Sequence, residues 1–182
     1  MTRLIRETNE TRINLAVDLA GGPVNVATDD DFLTHMVVTL ARYADIGLEV
    51  EAVGDLRHHL VEDVGITLGL ALARSLPDES ERYGWATVPM DDALVRAALD
   101  VGGRPWYEGT LPSGLYQHFL QSLAVNMGAT LHVIVDRGRD RHHIVEAAVK
   151  ATGLALRQAL REGTAVFSTK GSVRLTWGDG ES

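Results

Sequence analysis

Two adjacent histidines followed, three residues after the second, by a glutamate occur twice in this chain: His58, His59 and Glu62, then His142, His143 and Glu146. Imidazole nitrogen and carboxylate oxygen together suit manganese, iron, zinc or nickel, and the absence of cysteine removes the softest ligand preferences. On a helix each glutamate lies one turn from both of its histidines, at i, i+4 and i, i+3. The two histidines themselves point about 100° apart, so a single ion does not easily take both. Adjacent histidines more naturally serve two ions, or one ion and one partner.

Two further histidines join the pattern. His35 in "LTHM" and His118 in "YQHF" each open an apolar-periodic segment upstream of a histidine pair, in matching order. The duplicated set is then six of the seven histidines and two glutamates, which divides into two sites of three imidazoles and one carboxylate. Any lone helical histidine is more simply a surface or packed residue, but a doubled pattern is not a lone histidine. His132, outside the pattern, is expected to pack in the core.

These ligands must be held by a duplicated scaffold. When the second half is laid over the first, Gly54 meets Gly138 and the two histidine pairs coincide, with one residue of slippage further upstream. Each half reads as a helix, a β-like run ("IGLEVEAV" or "TLHVIV"), a glycine turn and a long helix carrying the pair. Ahead of these come the strand candidates "TRINLAVDL" and "VNVAT", then "ALVRAALDV" and "PWYEG". Two sheets with helices laid on them predict an α+β fold with internal pseudo-twofold symmetry. The segment "LPDESERYG" is the expected joint, and we divide the chain into repeats 1–88 and 89–182, near Val88.

Composition narrows the function. A chain of 182 residues with 45% hydrophobic side chains can bury a real core. The N-terminal "MTRLIRETNETRI" has no apolar run, and no stretch approaches a membrane span, so a soluble cytoplasmic protein is expected. A net charge of -8 with no basic run argues against nucleic-acid partners. Anionic ligands would need a few placed cations; the only lysines are Lys150 and Lys170.

The sequence resembles imidazoleglycerol-phosphate dehydratase nearly end to end, through "RETNETRI", "FLTHM", "HHLVED", "RYG", "PMDDAL", "GGRP", "HFLQSLA", "HHIVEAAVKA" and "STKG". The resemblance implies two halves, each a ribosomal protein S5 domain 2-like unit of a mostly antiparallel or mixed four-stranded sheet and two helices, with the helices between the sheets. It implies two manganese ions per subunit on His35, His58, His59, Glu62, His118, His142, His143 and Glu146. Substrate contacts fall on Glu10, Arg82, Arg104, Lys150, Ser168 and Lys170, with Tyr43 near the phosphate and Asp91 a further acid. His142, Glu146 and Lys150 step along one helix face, which agrees with this set, whereas Ile66 replaces the lysine in the first repeat.

The implied reaction removes water from imidazole glycerol phosphate to give imidazole acetol phosphate. The proton lost is not next to a carbonyl, so no simple enolate is available; ions on the ring nitrogens would let the ring expel the neighbouring hydroxyl. Glu10 is the candidate for proton transfer, with Asp91 as second acid/base. The resemblance also implies active sites between subunits, in trimers that build a 24-subunit shell.

Three departures from the family pattern bear on function. Thr34 replaces a usual aspartate, the turn "GDLRHH" is short, and Tyr43 replaces a usual histidine. The alternative reading is therefore a metal-binding paralogue that holds another phosphorylated ligand without dehydrating it.

Overall fold

The computed structural model describes residues 1–77 and 79–163. Among these the chain forms eight strands and four helices: β1 (Thr2–Glu7), β2 (Thr11–Asp18), β3 (Val24–Thr28), α1 (Asp31–Ala44), β4 (Gly47–Gly54), α2 (Arg57–Ser75), β5 (Tyr83–Met90), β6 (Ala93–Asp100), β7 (Trp106–Gly109), α3 (Gly114–Met127), β8 (Thr130–Arg137) and α4 (Arg141–Ala159).

The second half repeats the first element for element. One sheet has the order β1-β2-β4-β3 and the other β5-β6-β8-β7; in each, the last pair is parallel and the rest antiparallel. Alternation explains which face each sheet buries. Ile13, Leu15 and Val17 of β2 are buried, as are Val95, Ala97 and Leu99 of β6, while the residues between them face outward to varying degrees. The buried faces meet the helices, and one hydrophobic cluster runs through both halves.

The helices pair crosswise between the halves, α1 on α4 and α2 on α3. Glycines permit this close approach. A Cβ at Gly69 of α2 would lie 2.6 Å from the Leu123 carbonyl oxygen of α3, and one at Gly65 would lie 2.8 Å from that of Phe119. A Cβ at Gly153 of α4 would lie 2.7 Å from Cβ of Tyr43 in α1.

The one-residue slippage between the repeats has a structural location. Opposite β6, the register of β8 skips from Val135 to Arg137, leaving Asp136 as a bulge. Asp136 takes both forks of Arg96 at 2.7 Å, so the extra residue is anchored by an ion pair.

Three expectations change. The chain crosses from one sheet to the other within residues 76–82, so Val88 lies inside β5, within the second sheet. β1 and β5 were absent from the strand candidates; in β1 the adjacent Leu4 and Ile5 between arginines break the alternation, and β5 carries Gly84 and Pro89, which strands disfavour. His132 is exposed rather than packed in the core, because on β8 it alternates with the buried Leu131 and Val133.

Candidate metal centres

All four helices begin at one end of the molecule, where β4 and β8 return to start α2 and α4. Side chains cap two of these starts. Asp30 accepts from the Leu33 N–H at the head of α1, and Asp140 accepts from the N–H groups of His142 and His143 at the head of α4. The second cap thus fixes the backbone of the histidine pair itself.

The crosswise pairing assembles two groups of possible ligands, each drawn from both halves. His35 of α1 joins His142 and Glu146 of α4; His118 of α3 joins His58 and Glu62 of α2. Oε2 of Glu146 lies 3.4 Å from Nε2 of His35 and 3.0 Å from Nε2 of His142. Glu62 lies 3.5 Å from Nε2 of His58 and 3.6 Å from Nε2 of His118. Two donors bound to one ion at about 2.1 Å and at right angles stand about 3 Å apart, so both groups fit a divalent metal with little adjustment.

Within one chain each group holds two imidazoles and one carboxylate, rather than the three and one expected. The remaining histidine of each pair points round its helix to acids on neighbouring turns. Nδ1 of His59 lies 2.9 Å from Asp55 and 3.6 Å from Glu10. Nδ1 of His143 lies 2.7 Å from Asp92, and its Nε2 lies 3.4 Å from Asp91. A carboxylate on Nδ1 selects the tautomer whose Nε2 is free to bind a metal.

Glu10 and Asp91 lie one place out of step on the β1–β2 and β5–β6 turns, since the strand register matches Glu10 to Asp92. Both are well exposed. Asp91 adopts a left-handed backbone with φ 49°, which aspartate tolerates at a two-residue hairpin turn.

Electrostatics follow from these pairings. The hydrogen bond to His143 and two backbone N–H groups pull Asp92 down to about 2, and the same contact raises His143. Asp55 is lowered and His59 raised, chiefly by their mutual hydrogen bond. Burial pushes Glu146 upward, but the hydrogen bonds and charges of Lys150 and His35 together outweigh it and hold the carboxylate below its ordinary range.

Lys150 reaches Oε1 of Glu146 at 2.9 Å, and its ammonium lies 5.6 Å from the Tyr43 ring centroid. Those two expected substrate contacts are therefore joined to a metal group. Arg82 and Arg104 are not. The Arg82 N–H donates to the Ala159 carbonyl at the far end of α4, about 20 Å from Glu146 at the helical rise. The Arg104 carbonyl accepts from Thr130, at the same far end. Arg82 is further engaged in a bidentate pair with Asp100. Ser168 and Lys170 lie outside the described residues.

Three residues close to the site were missed from sequence. Asp92 adjoins the chosen Asp91, and the doubled aspartate at a hairpin turn was its signal. Asp55 supplies a carboxylate to His59 despite the short turn. Asp63 follows Glu62 directly. Thr34, for its part, bonds Thr28 Oγ1 at 2.9 Å and so ties α1 to β3.

A duplicated α+β sandwich with two histidine and carboxylate groups, each built across the repeat, is compatible with a pair of metal sites rather than the one three-ligand site of a single-ion hydrolase. The chain matches the family of imidazoleglycerol-phosphate dehydratase over residues 28–156. Proteins of that name from Pyrobaculum calidifontis and Pyrobaculum arsenaticum are 46% and 47% identical, with coverage of 93% and 91% of this chain and 98% and 97% of theirs. A crystal structure of IGPD from Pyrococcus furiosus, in complex with (S)-C348, superposes with a TM-score of 0.85 at 40% identity, covering 93% of this chain and 100% of that one. Imidazoleglycerol-phosphate dehydratase from Staphylococcus aureus gives 0.80 at 30% identity, covering 89% and 99%. The chain belongs to the imidazoleglycerol-phosphate dehydratase family, and is a hydro-lyase.

Proposed function

We propose that this chain dehydrates D-erythro-imidazole glycerol phosphate to imidazole acetol phosphate in histidine biosynthesis, with two manganese ions per subunit. The observation that carries this reading is the pair of ligand groups assembled across the repeats at the mouth of the helix layer. Relatives of 46% and 47% identity bearing the dehydratase name support the substrate.

His35, His142 and Glu146 would hold one ion, and His58, His118 and Glu62 the other. Bound there, the metal would supply Lewis acidity and a template for the imidazole ring. Glu10 and Asp91 stand above the second histidine of each pair and serve as the groups that accept and return the proton. Lys150 contributes a cation beside the site, next to Tyr43.

The phosphate would be held by Arg82 and Arg104 together with Ser168 and Lys170, as the family pattern implies. In one chain these arginines lie far from the metal groups, and His59 and His143 join neither group. Both features are explained if the working site forms between subunits. The outer face of the second sheet adds a reason for assembly, because Tyr83, Trp85, Trp106 and Ile134 are all exposed on it. Trimers building a 24-subunit shell in the cytoplasm complete the reading. No helix among the described residues is long and apolar enough to cross a membrane.

The test is turnover of imidazole glycerol phosphate by metal-stripped protein reconstituted with manganese, with metal counted on the same sample. Turnover at about two ions per chain supports the dehydratase, as two three-donor groups require. Two ions without turnover would instead select the paralogue that holds another phosphorylated ligand.

A further inference from the structure

Asp63 is a charged residue that α2 turns into the core, 7% exposed, directly after the ligand Glu62. A buried carboxylate persists only where partners replace its water. Its partners come from the two strands that lead into and out of the Glu10 turn: Arg6 of β1 forms an ion pair with Oδ2, and the Thr11 hydroxyl of β2 donates to the same oxygen.

The network then continues into the turn. With the Thr11 proton committed to Asp63, the Thr11 oxygen accepts from the Thr8 hydroxyl at 3.2 Å. Thr8 Oγ1 in turn accepts the N–H groups of Glu10 at 3.1 Å and Thr11 at 3.0 Å. The Glu10 carbonyl accepts the Asp55 N–H at 2.9 Å. The backbone on both sides of Glu10 is thereby fixed, and its carboxylate stands 3.6 Å from Nδ1 of His59.

The fold does not require this network. In the second half the positions of Asp63 and Thr11 are filled by Ala147 and Ala93, yet the equivalent hairpin packs on the equivalent helix. That turn is held differently, by Asp92 on the N–H groups of Arg139 and Asp140. A buried ion pair present in one repeat alone points to a task that only that repeat performs.

We propose that Asp63, with Arg6 and Thr11, positions the Glu10 carboxylate for proton transfer. The network works through Glu10 and touches no substrate, so the proposal rests on Glu10 being the acid/base group. It also assigns a purpose to "RETNET", in which Arg6, Thr8, Glu10 and Thr11 are the four members that carry the network.

The test compares Thr11→Val, which keeps the side-chain shape and leaves Asp63 paired with Arg6, against Thr11→Ser, which restores the hydroxyl. Thr11→Val should lower kcat on the order of tenfold to a hundredfold, the scale on which misplaced catalytic groups act. KM and bound manganese should stay unchanged, and Thr11→Ser should recover most of the loss. Thr8→Ala, which cuts the network at its exposed end and spares the buried pair, should reproduce the kcat effect even if Thr11→Val folds poorly.

In a Glu10→Gln background, with residual turnover read at high enzyme concentration, Thr11→Val should add no further loss. An equal fold loss in both backgrounds, a loss of metal, or unchanged kcat in Thr11→Val and Thr8→Ala would each overturn the positioning role. Full turnover in Glu10→Gln alone would instead remove the underlying reading of Glu10.

Discussion

Lys150 donates to Oε1 of Glu146 at 2.9 Å and leaves only Oε2 facing the imidazoles of His35 and His142. Among the described residues Glu62 has no such competitor, since Ile66 stands in the place of the lysine, and its two oxygens face His58 and His118 separately. A neighbouring ammonium also opposes a dication through charge. The two centres should therefore fill with unequal affinity, the Glu146 centre being the weaker. Calorimetric titration of stripped protein with manganese should resolve two steps, and Lys150→Met should tighten the weaker one severalfold.

If the arginines at the far end of one chain serve the metal groups of another, two inactive variants should repair each other. Glu10→Gln and Arg104→Ala, each deficient alone, should regain turnover when dissociated together and reassembled, because some sites then receive both native groups. Reassembly without any recovered turnover would place both residues in the site of a single chain.

The helix pairing that brings His118 to His58 depends on Gly69, where a Cβ would meet the Leu123 carbonyl at 2.6 Å. Gly69→Ala should cost about 1–3 kcal/mol in urea unfolding, the usual penalty of overpacking, and should weaken manganese binding at the Glu62 group. Gly114, at the start of α3, has nothing within 4 Å of an added Cβ. Gly114→Ala should be neutral or slightly stabilising, because alanine is the better helix former.

Tyr107 carries a buried hydroxyl with no hydrogen-bond partner among the described residues, and burial pushes it up to about 12. The unfolded chain loses this proton near its ordinary value of 10.0 while the folded chain keeps it, so the contribution is fully present below 10.0 and is lost as pH rises to about 12. Tyr107→Phe should remove that alkaline loss. Near neutral pH it should be neutral or stabilising by about 1 kcal/mol, since it deletes a polar group that has no partner. Urea unfolding of both proteins at neutral and alkaline pH measures the difference.

The repeat, the helices and the candidate histidine and glutamate side chains were legible because periodic apolar patterns and doubled histidines survive in the primary sequence. The grouping of those ligands was not. Spacing along α2 shows that His58 and His59 diverge, yet nothing local says that His118 will meet His58 and that Asp55 will meet His59. Those pairings follow from which helices cross, and Gly65, Gly69 and Gly153 decide how closely. Asp63 was invisible for a related reason: one helix position decides whether a carboxylate faces solvent or core, and its partners lie on strands far away in the chain. β1 and β5 escaped because the charges around Leu4 and Ile5 break the alternation in one, and Gly84 and Pro89 interrupt the other.

The crosswise pairing of the halves also bears on ancestry. A free half-length chain dimerising about the same pseudo-twofold axis would have possessed both centres at once, and they would have been identical by symmetry. Fusion into one chain removed that identity. From then on a substitution in one copy no longer had to be matched in the other, which is the condition under which Lys150 can face Ile66 and Asp63 can face Ala147. Two ancestral equivalents have thereby become a left and a right hand, one with a cation at its metal group and the other with a braced acid at its turn.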